Sequence, residues 1–191
     1  MSTSPSGRYR PLPGDAAWWV FLGAEFATLS IFFVAFAWSK AGNPEVFLEG
    51  QKLLHPNVGF ANTLILITSG FFAAQGVLAL HKKRHALCAR WYAAAAILGT
   101  LFLSIKTWEY AEKLGDGINL STSNFFFFYF FLTGFHYLHV VLGVGFLAVM
   151  AWKVTRKPIA ESTERNIESC AAFWHMLDLV WVILFPLLYL A

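Results

Sequence analysis

The sequence predicts an all-α fold, a polytopic membrane bundle of five transmembrane helices. Three observations carry this. Five apolar stretches fill the 191-residue chain, each long enough at about 1.5 Å per residue to cross a hydrocarbon core about 30 Å thick. Only 13% of the residues are charged, against about 25% in a soluble domain, and the mean hydropathy is +0.57. None of the stretches shows the ten-residue alternation that a membrane barrel strand requires.

The elements follow in order. Residues 1–14 form a polar tail rich in Pro, Ser and Gly. The first span covers about 15–38, opened by Pro13-Gly14 and closed by Lys40-Ala41-Gly42-Asn43-Pro44. It is too long for a signal-peptide core and lacks a small-x-small exit, so it is read as retained. A loop to about His55 leads to the second span, about 56–80, which Pro56 suits as an opening residue. That span stops at His81-Lys82-Lys83-Arg84-His85. The third covers about 89–110 and gives way to a Gly115-Asp116-Gly117 turn. The fourth, about 125–152, begins in the run Phe125 to Tyr129, expected to anchor the helix at the interface. A polar loop from Lys153 to Arg165 leads to the fifth, about 166–190. The loops are too short to fold alone, so residues 15–190 are read as one domain. Trp18, Trp19, Trp38, Trp108 and Trp152 lie near span ends, where interfacial belts place them.

Charge sets the orientation. The tail, the second loop and the fourth loop hold 10 of the 14 Lys and Arg residues, and the other side holds Lys40, Lys52, Lys106 and Lys113. This split predicts a cytoplasmic N-terminus and a C-terminus outside. The basic residues are therefore topological rather than a nucleic-acid surface, although the 81–85 block would also suit anionic lipid headgroups. Cys88 and Cys170 begin spans on the cytoplasmic side, have no CxxC partner and read as reduced structural thiols.

Polar residues recur on single helical faces. Glu25 lies about ten residues, roughly 15 Å, into the first span, with Thr28 one turn on. The second span aligns Asn62, Ser69 and Gly76. The third places Lys106 and Glu109 three apart, able to pair. The fourth aligns His136, His139 and Gly143, and the fifth aligns Glu168, His175 and Asp178. Small and polar residues on one stripe allow close helix approach and interhelical hydrogen bonds. Two sharper chemistries stay open on spacing alone. His136, His139, His175 and Asp178 would suffice to hold a transition metal or haem, although HExxH and CxxCH are absent. Glu25 would suit a proton relay or a stand-alone proton carrier, although the chain supplies no inverted repeat and no partners at successive depths.

Several motifs in order give the chain a resemblance to subunit III of the haem–copper respiratory oxidases, in its five-helix bacterial form, over about residues 14–190. Trp19-Val20-Phe21-Leu22-Gly23-Ala24-Glu25 resembles the family's helix with a buried Glu, and Asn62-Thr63 followed by Ser69 its Asn-Thr…Ser helix. Glu109-Tyr110 closes the third span as in the family. Thr133-Gly134-Phe135-His136-Tyr137-Leu138-His139-Val140 resembles Thr-Gly-x-His-x-x-His-Val, and Trp174-His175-Met176-Leu177-Asp178-Leu179-Val180-Trp181 resembles Trp-His-x-x-Asp-x-x-Trp. Within the family, Phe127 to Gly134 and Trp174 to Tyr189 resemble the short branch associated with nitric oxide reductases. Tyr137 replaces a Gly frequent in the oxidases, which implies a different neighbour there.

The resemblance implies a bacterial plasma-membrane subunit with no active site, haem or copper of its own. It implies a catalytic subunit I that carries haem and possibly copper, bound phospholipid, and support for proton uptake and subunit I stability. Glu25 matches a carbodiimide-reactive carboxyl, and Glu109 joins it as a buried, proton-related group. Asn62, His136, His139, Glu168, His175 and Asp178 become bundle, subunit or lipid contacts. The expected function is a non-catalytic subunit of a terminal oxidase in aerobic electron transport, or alternatively an accessory subunit of a nitric oxide reductase.

Overall fold

Close packing at small residues and interhelical hydrogen bonds bring the last four long helices together, since lipid would solvate their apolar faces equally well. The chain's structure, a computed structural model, describes residues 16–156 and 161–190, without the side chains of residues 16–19 and 161. It contains α1 (Ala16–Gly42), α2 (Pro44–Lys52), α3 (Pro56–His81), α4 (His85–Gly115), α5 (Asn124–Thr155) and α6 (Glu161–Tyr189). Five of these are long and apolar enough to span a membrane. The tail at residues 1–14 lies outside the described residues.

Helices α3, α4, α5 and α6 pack in a ring, each against its sequence neighbour, with α6 returning to α3. Helix α1 leans on α5 and α6 from outside that ring. Only 17% of its apolar window is buried, against 61% for α6, so α1 is the loosest span and α6 the best held.

The helices run longer than the apolar stretches because polar ends continue the hydrogen-bond ladder into the interface. The sequence reads residues 39–55 as loop, but α2 forms there. Pro44 sits at its first position, Glu45 in its first turn and Lys52 in its last, an arrangement that complements the helix dipole. Phe47 and Gly50, one turn apart, supply its buried face.

That helix also revises the reading of the Phe125–Tyr129 run. Phe125, Phe126 and Tyr129 are buried while Phe127 stays exposed, and α2 covers Phe125, for Phe47 meets it edge-on at 5.7 Å and meets Phe36 at 5.2 Å. Trp38, Trp108 and Trp152 are exposed near helix ends, as expected.

Two helices end in the same hydrogen-bond motif. Ile118 N–H donates to the Lys113 carbonyl and Gly117 N–H to that of Leu114, with Gly117 at φ +78°. At the end of α3, Arg84 N–H reaches the Ala79 carbonyl, but there the left-handed residue is Lys83, at φ 56°.

Candidate functional site

Residues Ile167, Trp174, Trp181 and Leu188 are buried at seven-residue intervals along α6 and divide the bundle into layers. In the first, the Tyr92 hydroxyl donates to the Ile167 carbonyl at 2.7 Å. In the second, the Trp174 indole N–H donates to Ser69 Oγ at 3.1 Å, and Ser69 donates in turn to the Ala95 carbonyl at 2.8 Å. Gly99 and Gly143 make room for that ring, since a Cβ on either would lie 2.7 Å from it. In the third, Trp181 donates to Thr63 Oγ1 at 3.0 Å and packs against Phe102 and His136 at 4.9 and 5.3 Å.

The fourth layer is the most highly charged. Lys106 Nζ donates to Glu109 Oε2 at 3.0 Å, Tyr129 Oη at 3.1 Å and Tyr189 Oη at 2.7 Å. The Tyr189 hydroxyl donates to Glu109 Oε1 at 2.6 Å. Lys106 and Glu109 are each only 1% exposed. The rings of Tyr110, Tyr129, Tyr189 and Trp181 surround the ammonium within 5.4 Å of their centroids, adding cation–π attraction. The sequence spacing supplies the Lys106–Glu109 pair but not its tyrosine partners, which come from α5 and α6. A signal for those partners did exist: Tyr189 follows Trp181 by about two helical turns.

The other singled-out residues divide between tied and open groups. Glu25 Oε2 lies 3.4 Å from His139 Nε2, and His139 Nδ1 lies 2.9 Å from the Phe135 carbonyl, so this pair joins α1 to α5. Thr28 returns its hydroxyl to its own helix at Ala24. Asn62 donates to the Phe102 carbonyl at 3.4 Å, while its Oδ1 has no protein partner. Glu168 meets His81 at 2.6 Å and ties α6 to α3. At the other end of α3, His55 meets Glu112 of α4 at 2.9 Å.

Two expectations need correction. His136 makes no hydrogen bond to a neighbouring helix, for both its ring nitrogens are buried without a protein partner and its contacts are aromatic. His175 does not join the polar interior. It is 45% exposed, beside a buried Asp178 whose Oδ2 is 3.5 Å away. A helix turns by about 100° per residue, and the inward heptad positions 174 and 181 leave 175 pointing outward.

The four candidate ligands do not converge on one point. His136 is enclosed by Phe102 and Trp181, His139 is engaged at both nitrogens, and His175 faces away from both. Among the described residues, no three His, Cys, Asp or Glu side chains form a group able to hold a metal ion. A cavity of about 10 Å³ lies among Glu25, Leu29, His136 and His139, near the threshold for a single water. Cys88 and Cys170 are buried and free.

Comparison with known proteins gives a consistent picture. The family model described as cytochrome c oxidase subunit III matches residues 18–191. A cytochrome c oxidase subunit 3 from Synechocystis is 34% identical over 174 residues, covering 90% of this chain and 69% of the relative. A probable quinol oxidase subunit 3 from Staphylococcus saprophyticus is 24% identical, covering 90% and 86%. In Aeropyrum pernix, a haem–copper oxidase subunit I+III is 27% identical over an alignment of 190 residues that covers 94% of this chain and 23% of that longer protein.

Proposed function

The chain belongs to the cytochrome c oxidase subunit III family, and from that premise we propose that it is the cofactor-free accessory subunit of a haem–copper terminal oxidase in a bacterial plasma membrane. It packs against the catalytic subunit I, which holds haem and copper. It stabilises that subunit, retains phospholipid beside it and supports proton uptake at the cytoplasmic face. Its N-terminus is cytoplasmic and its C-terminus outside. A likeness to the nitric-oxide-reductase branch rests on two sequence phrases and the short tail and loops, whereas the relatives above are named as oxidases.

The observation that carries this reading is the use made of the buried polar groups. Trp174, Trp181, Lys106, Glu109 and Tyr92 all bond to neighbouring helices or to each other. Such bonds rigidify a bundle and leave those groups committed to structure rather than chemistry. The lipid role is supported by a basic corner between α3 and α4. There Lys83, Arg84, His85 and Arg90 line a cavity of about 390 Å³ at the end of the bundle that charge assigns to the cytoplasm.

The test is purification of the membrane complex through a tag on this chain. A catalytic subunit bearing haem and copper should co-purify in stoichiometric amount and consume oxygen. After dissociation, the isolated chain should carry neither group. A haem spectrum or copper that stays with the separated chain in equimolar amount refutes the reading.

A further inference from the structure

Hydrocarbon tolerates a polar side chain whose hydrogen bonds are already made. Ser30, Thr68, Ser104 and Thr107, on outward faces, meet this condition by donating to carbonyls one turn back in their own helices. His175 does not. It stands seven residues, about 10 Å, beyond Glu168, which pairs with His81 at the polar end of α3, and so lies within the apolar stretch of α6, yet its side chain is 45% exposed. Its contact is Asp178, whose other oxygen, Oδ1, is buried without a partner. An ionisable group at that depth is kept where it faces protein or water rather than lipid.

A backbone carbonyl on the same stripe lacks its ordinary helical donor. Pro186, inside α6, has no N–H for the carbonyl of Val182 four residues earlier. Val182 is seven residues from His175, about 10 Å along the axis and two helical turns on. His175, Leu179, Val182 and Pro186 therefore align on one exposed arc of α6. The arc is bounded on one side by α3, where Gly70 lets the Asp178 carboxylate approach its backbone, and on the other by Met176 and Val180, which face Glu25 of α1. Ile67 and Ala74, one turn either side of Gly70, continue this surface on α3 as apolar flanks.

Resting on the functional reading above, we propose that this α6 arc, centred on His175 and running to Pro186, docks a transmembrane helix of catalytic subunit I. That helix supplies a hydrogen-bonding side chain to the His175–Asp178 pair and a donor to the Val182 carbonyl. Its remaining contact surface is apolar, to match Ile67, Leu179 and Ala74. A fixed association suits such a buried polar contact, and in the Aeropyrum pernix relative subunits I and III are a single chain.

Site-specific photocrosslinking in the intact complex tests the proposal. p-Benzoylphenylalanine would replace Leu179 on the arc or, in a second protein, Ile97 on the outward face of α4, which is 68% exposed. Leu179 should cross-link to the catalytic subunit and Ile97 should not. Cross-linking from Ile97 alone, or from neither position while the two subunits still co-purify, overturns the docking face and leaves the functional reading standing. Failure of any catalytic subunit to co-purify with the unsubstituted chain refutes both. His175→Leu should weaken association about threefold or more, the scale of polar contacts between membrane helices, without loss of helicity. Unchanged association in that variant also counts against the proposal.

Discussion

Lys106→Met tests the bundle where its energetics are most lopsided. The substitution removes three hydrogen bonds, to Glu109, Tyr129 and Tyr189, and four cation–π contacts. More costly is what remains. Glu109 is 1% exposed, and its remaining hydrogen bond is the one from Tyr189. Breaking a buried pair from one side typically costs about 3–5 kcal/mol, because the surviving charge cannot reach water. For a chain of this size about 1 kcal/mol moves the melting temperature by about 2–4 °C, so the expected loss is about 6–20 °C. Glu109→Leu alone should cost a similar amount by stranding the ammonium. The double substitution Lys106→Met/Glu109→Leu strands nothing and should recover most of the loss, since apolar replacements of buried pairs are often neutral. Thermal unfolding of the purified complex, followed by tryptophan fluorescence, measures the loss, and Trp181, one of the chain's eight tryptophans, lines the cage. A double variant no more stable than the weaker single variant would refute the reasoning. So would a Lys106→Met protein that melts within 2 °C of the parent.

Four other outcomes are expected. Gly143→Val puts a Cβ and two methyls into the Trp174 ring and should destabilise by at least about 1–3 kcal/mol, seen as a lower melting temperature, whereas Gly145→Ala, where a Cβ meets nothing within 4 Å, should not lower it. Glu25→Ala should leave initial electron-transfer rates in the complex largely intact while speeding amide exchange in α1, because its contact with His139 is one of few that hold that helix; loss of haem centres in the variant would contradict this. Lys83→Gly should stabilise by about 1 kcal/mol through relief of a left-handed backbone, and Arg84→Glu/Arg90→Glu should lower the anionic phospholipid that co-purifies; unchanged phosphorus content would remove the lipid role of that corner.

The five crossings and their order were legible because lipid imposes a length and a composition that few other solutions satisfy. The Lys106–Glu109 pair was legible too, since three-residue spacing on a helix brings side chains together without help from the rest of the fold. Its tyrosine cage was not, for Tyr129 and Tyr189 come from helices distant in sequence and only their packing sets the register. Helix α2 escaped notice because nine residues are too few for a clear periodic pattern, and its stability comes from Phe47 seated between Phe36 and Phe125. The outward turn of His175 was hidden by grouping Glu168, His175 and Asp178 at intervals of seven and three. The seven-residue series that decides the inward face is Ile167, Trp174, Trp181 and Leu188, and it places His175 one residue, about 100°, away.

The contrast between α1 and α6 ties these observations together. Most of α6 is consumed inside the bundle, and the narrow arc it leaves bare carries groups whose hydrogen bonds are unfinished. Helix α1 is bare over most of its surface, yet its outward residues, among them Val20, Ile31 and Val34, are apolar and Ser30 satisfies itself. Lipid suffices for such a face but leaves the α6 arc with a standing energetic demand. If exposure alone decided where a partner binds, α1 would be the docking helix. Because a lipid tail solvates an apolar side chain as well as a protein does, exposure carries little weight in this solvent, and the unmet polar group decides. The better-buried helix is thus the one with more to gain from a partner.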